Sequence, residues 1–181
     1  FREILKSYNI KKDLEIHLAS DLPAYTGLGS SSSFSVGLIK GLNAFFDKDI
    51  SKYNLAREAI KIEQVILKES VGSQDQIFAS YGGFNLIKFT GSNFDVERIS
   101  LSDKRQEELN SSLMLFFTGL TRKAQNIEQK KIDNMGTIVN NLKVLSRHVE
   151  KAHSILYDER PMDQFGSLLK ETWNIKRRLN S

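Results

Sequence analysis

The chain has 181 residues, 40% of them hydrophobic and 27% charged, which suits one ordinary globular domain or two small ones. There is no cysteine, so disulfide frameworks, thiolate nucleophiles and Cys-ligated zinc are excluded. The net charge of +4 is spread through mixed stretches such as R-E-A-I-K-I-E and V-E-K-A-H, which read as solvated helix faces and not as a nucleic-acid footprint.

No apolar run approaches the ~20 residues that cross a bilayer. The opening F-R-E-I-L-K-S-Y lacks the apolar core and small-residue cleavage site of a signal peptide. A cytoplasmic protein with no membrane contact is the expectation.

Leu14, Ile16 and Leu18 alternate with Glu15 and His17, predicting a half-buried strand. Phe34, Leu38, Leu42 and Phe45 recur at helical spacing and predict a helix over 33–46. Between them lies P-A-Y-T-G-L-G-S-S-S-S-F, from Pro23 to Phe34. It is either a solvated turn or a backbone cradle for an anion. The order strand, Gly/Ser loop, helix supplies the parts of a cradle, because the first N–H groups of a helix have no intrahelical acceptor and the dipole adds positive charge. A Gly-rich loop alone does not decide between the two. Gly27 and Gly29 would let a ligand approach the main chain. No Lys follows the glycines, so the loop is not a P-loop.

Ser51 opens a second helix that meets no Gly or Pro until Gly72. Ala56, Ala59, Ile60, Ile66 and Leu67 form its apolar face, and Glu63 falls on the same face. A carboxyl there is paired, bound to a metal, or reaches water at the face edge. Ser73 and Gln76 have the spacing of a capping box and predict a short helix ending at Gly82-Gly83. Asp75 in its first turn could serve helix-end stabilisation alone.

F-N-L-I-K-F reads as a strand, residues 90–110 as a loop and surface segment, and Leu113–Thr118 as a buried strand. Met135, Leu142, Val149 and Leu156 fall seven apart, with Ile138, Leu145 and Ala152 between them. This a/d stripe of about three heptads predicts a long helix packed on a sheet, with a dimeric coiled coil as the alternative. Pro161 ends it, and a last amphipathic helix follows. A composition change near residue 110 marks the expected domain boundary.

The motif Pro23-Ala24-Tyr25-Thr26-Gly27-Leu28-Gly29-Ser30-Ser31 resembles the central phosphate loop of the GHMP kinases. That resemblance implies an α+β fold. Residues 1–110 would be a ribosomal protein S5 domain 2-like phosphate-loop domain, and 111–181 part of a ferredoxin-like C-terminal domain. It also implies ATP and Mg2+ as cofactors. Gly27, Leu28, Gly29, Ser30, Ser31 and Ser32 would wrap the ATP phosphates, Glu63 and Ser31 would hold the metal, and Asp75 would be the catalytic base.

V-G-S-Q-D-Q-I-F-A-S-Y-G-G-F-N, L-M-L-F-F-T-G-L-T-R-K-A and L-L-K-E-T-W-N-I-K-R-R-L resemble the branch acting on D-glycero-D-manno-heptose 7-phosphate. The partners implied are ATP and a phosphorylated sugar, with Thr121 and Arg122, and then Lys176 and Arg177, as candidates for the sugar phosphate. The family's strand-rich first motif and Gly-rich third motif do not occur in the chain, so truncation at both ends and no activity of this piece alone are expected. Other readings are a fucokinase-like enzyme, or a non-catalytic module binding RNA or a partner helix.

Overall fold

The computed structural model describes residues 1–10, 14–20, 27–116 and 135–179. These fall into two units, one within 1–98 and the other made from 99 onward.

The first unit is built around α2 (Ser30–Phe45). Val36, Leu38, Ile39 and Leu42 of that helix pack with Ile4 of α1 (Arg2–Ser7) and with Leu55 and Ala59 of α3 (Lys52–Ile60). Ser51 caps α3 by accepting the Asn54 N–H at 3.2 Å. The same core takes Ile62 from a π-helical segment, Lys61–Ile66, that continues α3. Its wide turn is closed by Leu67 N–H donating to Ile62 O at 2.9 Å, the i→i+5 bond of a π-helix. Tyr8 donates to Glu58 and accepts from Asn43 at the rim of this core. Burial, with the Glu58 charge beside it, pushes the Tyr8 hydroxyl up to about 12.

Ala56, on the other side of α3, meets Ile77 of α4 (Gln74–Tyr81) and Phe94 of a hairpin. The hairpin pairs β1 (Asn85–Thr90) antiparallel with β2 (Asn93–Arg98), Thr90 opposite Asn93. Gly91 takes the turn at φ 60, and Arg57 Nη1 ties the turn to α3 by donating to Ser92 O at 2.6 Å. Sequence reading assigned residues 90–110 to loop and surface; β2 and a helix, α5 (Asp103–Ser111), occupy most of them.

Two expected strands do not form among the described residues; Phe117 and Thr118 of the second lie outside them. Residues 14–20 have no sheet partner among the described residues. Leu14 and Ile16 nevertheless pack on the α2 core, while Glu15 and His17 pair on the open side at 2.8 Å. The alternation holds for Leu14 and Ile16, Leu18 is exposed, and the ladder is missing. Leu113, Met114, Leu115 and Phe116 are likewise not a buried strand: they lie 50–83% exposed, with no paired strand among the described residues. A strand needs a neighbour to satisfy its backbone.

In the second unit, α6 (Met135–Tyr157) packs on α7 (Met162–Leu179). The predicted stripe is split. Leu156 is buried and Leu145 and Ala152 are half-buried, whereas Leu142 and Val149 face outward. A straight helix drifts away from a strict seven-residue repeat, and among the described residues the partner is a helix and not the expected sheet. His148 Nδ1 meets Thr172 Oγ1 at 2.8 Å across the pair. Since that hydroxyl donates to Leu168 O, the imidazole is the donor.

Arg105 of α5 is only 4% exposed. Its guanidinium donates to Ile155 O at 2.7 Å, Leu156 O at 3.2 Å and Arg160 O at 2.6 Å, satisfying carbonyls that the end of α6 leaves open. A planar fork suits that task where an ammonium would not. Arg105→Ala is expected to cost about 3 kcal/mol, read as a lowered midpoint in urea unfolding. An unchanged midpoint would show that water replaces the guanidinium without loss.

Candidate active site

Gly27 and Gly29 both hold left-handed backbone, at φ 80 and φ 69, a region that only glycine enters freely. The turn they make delivers the chain into α2, whose N-cap is Gly29 itself. No side chain caps the helix. Ser33 N–H makes the first intrahelical bond, to Gly29 O at 2.9 Å, so the N–H groups of Ser30, Ser31 and Ser32 have no intrahelical acceptor. Leu28 is half exposed beside them. The mouth of α2 is therefore a set of backbone donors and a positive dipole end with nothing acidic in its own first turn.

Two acidic side chains from other elements reach this mouth. A Cβ placed on Gly29 would sit 3.3 Å from both Cγ and Oδ2 of Asp75, so the Asp75 carboxyl lies against the glycine backbone. Glu63, on the π segment, is 1% exposed. Its Oε2 accepts from Ser32 Oγ at 3.0 Å and from Gln76 Nε2 in a short bond. Its Oε1 is buried without a partner, as is Gln76 Oε1. The wide π turn changes the rotational register of the helix around Glu63; such turns concentrate at functional sites.

The capping box read from Ser73 and Gln76 does not form. Ser73 Oγ accepts from Gln64 Nε2 at 3.1 Å, and the Gln76 amide goes to Glu63. The short helix forms without it. Glu69, just after the π segment, donates its N–H to Glu63 O at 2.9 Å. Burial, reinforced by the Glu63 charge, raises its carboxyl above the ordinary range.

Of the sequence candidates, Gly29, Ser32, Glu63 and Asp75 are thus brought together. Ser32, not Ser31, touches Glu63; Ser31 is exposed. Lys176 and Arg177 are exposed on α7. Pro23–Thr26, Thr121 and Arg122 lie outside the described residues. Gln76 was missed as a site residue because its spacing from Ser73 matched a cap.

Among the described residues no group of three His, Asp or Glu could hold a metal alone. A hard cation here would have to share its coordination between protein oxygens, phosphate oxygens and water, as magnesium commonly does. The orphaned Glu63 Oε1 and the serine hydroxyls are oxygen donors of the right kind, so the residues present fit that ion.

Residues 1–83 match the GHMP kinases N terminal domain. D-glycero-alpha-D-manno-heptose 7-phosphate kinase of Campylobacter jejuni is 30% identical over 98% of this chain and 53% of its own length. The bifunctional fucokinase/GDP-fucose pyrophosphorylase of Arabidopsis thaliana is 28% identical over 92% of this chain and 16% of its own. The crystal structure of a D-glycero-D-manno-heptose 1-phosphate kinase from Bacteroides thetaiotaomicron superposes with a TM-score of 0.72. It is 28% identical and covers 97% of this chain and 52% of that one. The chain therefore spans about half the length of the heptose kinases it matches.

Gly29→Ala combines left-handed strain with contact on Asp75. It is expected to cost about 1–2 kcal/mol in urea unfolding and to shift the Asp75 carboxyl away from residue 29 by a few tenths of an ångström in a crystal structure. A variant with native stability and an unmoved Asp75 would show that the turn does not need glycine.

Proposed function

Residues 1–83 match the GHMP kinases N terminal domain, and from that match we propose that the protein is an ATP-dependent sugar kinase. The acceptor in this reading is D-glycero-D-manno-heptose 7-phosphate, phosphorylated on its anomeric hydroxyl for nucleotide-activated heptose. The observation that carries it is the placement of Asp75 against Gly29 and of Glu63 against Ser32, two acidic groups at one helix mouth.

The chemistry follows from those parts. Backbone N–H groups from Gly27 to Ser32 hold the phosphates of ATP at the positive end of α2. Asp75 orients the acceptor hydroxyl and takes its proton as the sugar oxygen attacks the γ-phosphorus. The new O–P bond forms while the bond to the bridging oxygen breaks, and ADP leaves with that electron pair. Glu63 and a serine hydroxyl, Ser31 or Ser32, would hold magnesium, which when bound neutralises charge on the phosphates. No covalent intermediate on the protein is needed. Thr121 and Arg122 are proposed to meet the sugar phosphate, for which a guanidinium is suited. Residues 1–110 would be the S5-like domain, and 111–181 part of a ferredoxin-like one. A cytoplasmic location is part of the same proposal; among the described residues no helix is long and apolar enough to cross a membrane.

A fucokinase-like activity is the second reading, favoured by the Arabidopsis relative's coverage of most of this chain. ATP consumption by the intact protein against free and phosphorylated sugars separates the two. Heptose 7-phosphate is expected to give the highest kcat/KM, and faster turnover of free fucose or mannose would overturn the heptose assignment. Asp75→Ala is expected to lower kcat by about 10³-fold or more with ATP binding retained in calorimetry. Turnover at the native rate would remove Asp75 from the base role.

A further inference from the structure

One buried group in the Glu63 cluster has no part in the chemistry above. Gln76 directly follows Asp75 on α4, yet it is 1% exposed, and its amide donates to Glu63 Oε2. Ser32 Oγ donates to that same oxygen at 3.0 Å. Oε2 therefore carries two donors, and the equally buried Oε1 carries none. The terminal torsion of a glutamate is broad and two-fold, so an unrestrained carboxyl exchanges its oxygens. Two donors fixed on one of them stop the exchange.

From this asymmetry we infer that Gln76 is a positioning residue, which locks Glu63 so that Oε1 alone is presented to a divalent cation. The inference rests on the reading of Glu63 as a cation-holding residue. Simple satisfaction of a buried carboxyl accounts for less. Ser32 already supplies Oε2 with a donor, and Gln76 leaves its own carbonyl oxygen buried and unpartnered, which costs stability. A side chain kept only for the fold would not introduce that cost. The placement also links two roles. Asp75 and Gln76 are adjacent on one turn of α4, so the bond that orients Glu63 also fixes the helix carrying the proposed base. Hydrogen-bond partners of metal ligands act in this way, orienting the ligand without touching the ion.

The test is Mn2+ binding to the intact protein with a non-hydrolysable ATP analogue, measured by calorimetry. Gln76→Met keeps length and removes the donor. It is expected to weaken Mn2+ binding about 10-fold or more while affinity for the metal-free analogue stays at the native value. In a Glu63→Gln background the same change should add nothing, because the two residues act as one unit. Native Mn2+ affinity in Gln76→Met, or an effect that simply adds to that of Glu63→Gln, would overturn the inference. If Gln76→Met does not fold, Gln76→Asn withdraws the amide by one methylene and is read by the same criteria. A native protein that binds Mn2+ but phosphorylates no heptose, combined with weakened binding in Gln76→Met, supports the inference and removes only the substrate assignment. A native protein that binds no Mn2+ overturns both.

Discussion

The buried carboxyl of Glu63 is the constraint around which the first unit is arranged. A carboxyl in a core must find donors, and it finds them on two different helices, Ser32 on the first turn of α2 and Gln76 on the first turn of α4. The π segment that carries it is thereby tied to both helix starts. Because Asp75 precedes Gln76, satisfying Glu63 also brings a second acidic group to the Gly29 backbone. One polar requirement thus sets the register of three helical elements and the composition of the α2 mouth.

The apolar packing supports this arrangement from both sides. α3 shares one core with α2 through Leu55 and Ala59 and a second with α4 and the hairpin through Ala56. Small alanines on α3 let its neighbours approach closely, and Arg57 fastens the hairpin turn to the same helix. The site is consequently borne by helices packed on both faces of a single strut. That is the kind of support a reactive geometry needs if its groups are to hold position.

Local features were legible and pairwise ones were not. The helix expected over 33–46 starts at Ser30, the one from Ser51 forms as read, and the one after Ser73 forms without the capping box from which it was read. Glycine at 27 and 29 was legible as well. The alternation correctly placed Leu14 and Ile16 on the core side, whereas Leu18 is exposed. Whether such a segment becomes a strand depends on a neighbour that the segment does not encode, and neither 14–20 nor Leu113–Phe116 has one among the described residues. β2 was overlooked because only Phe94 and Val96 interrupt a polar run. Arg105 was invisible for a different reason: its partners are main-chain carbonyls some fifty residues away, which carry no side-chain signature. In the site, face and position left Glu63 and Asp75 open to bland readings, and the resemblance to the GHMP kinases singled them out. That Ser32 and not Ser31 touches Glu63 follows from the rotation of α2.

The widened turn at Lys61–Ile66 bears on how other chains are compared with this one. It amounts to one surplus residue spliced into a cylinder that otherwise advances about 100° per position. A homologue lacking that residue would align with a single-position gap, and a carboxylate assigned by counting along the helix would land on the wrong side. Equivalence at this point is better judged by what reaches the serine at the start of α2 than by ordinal place.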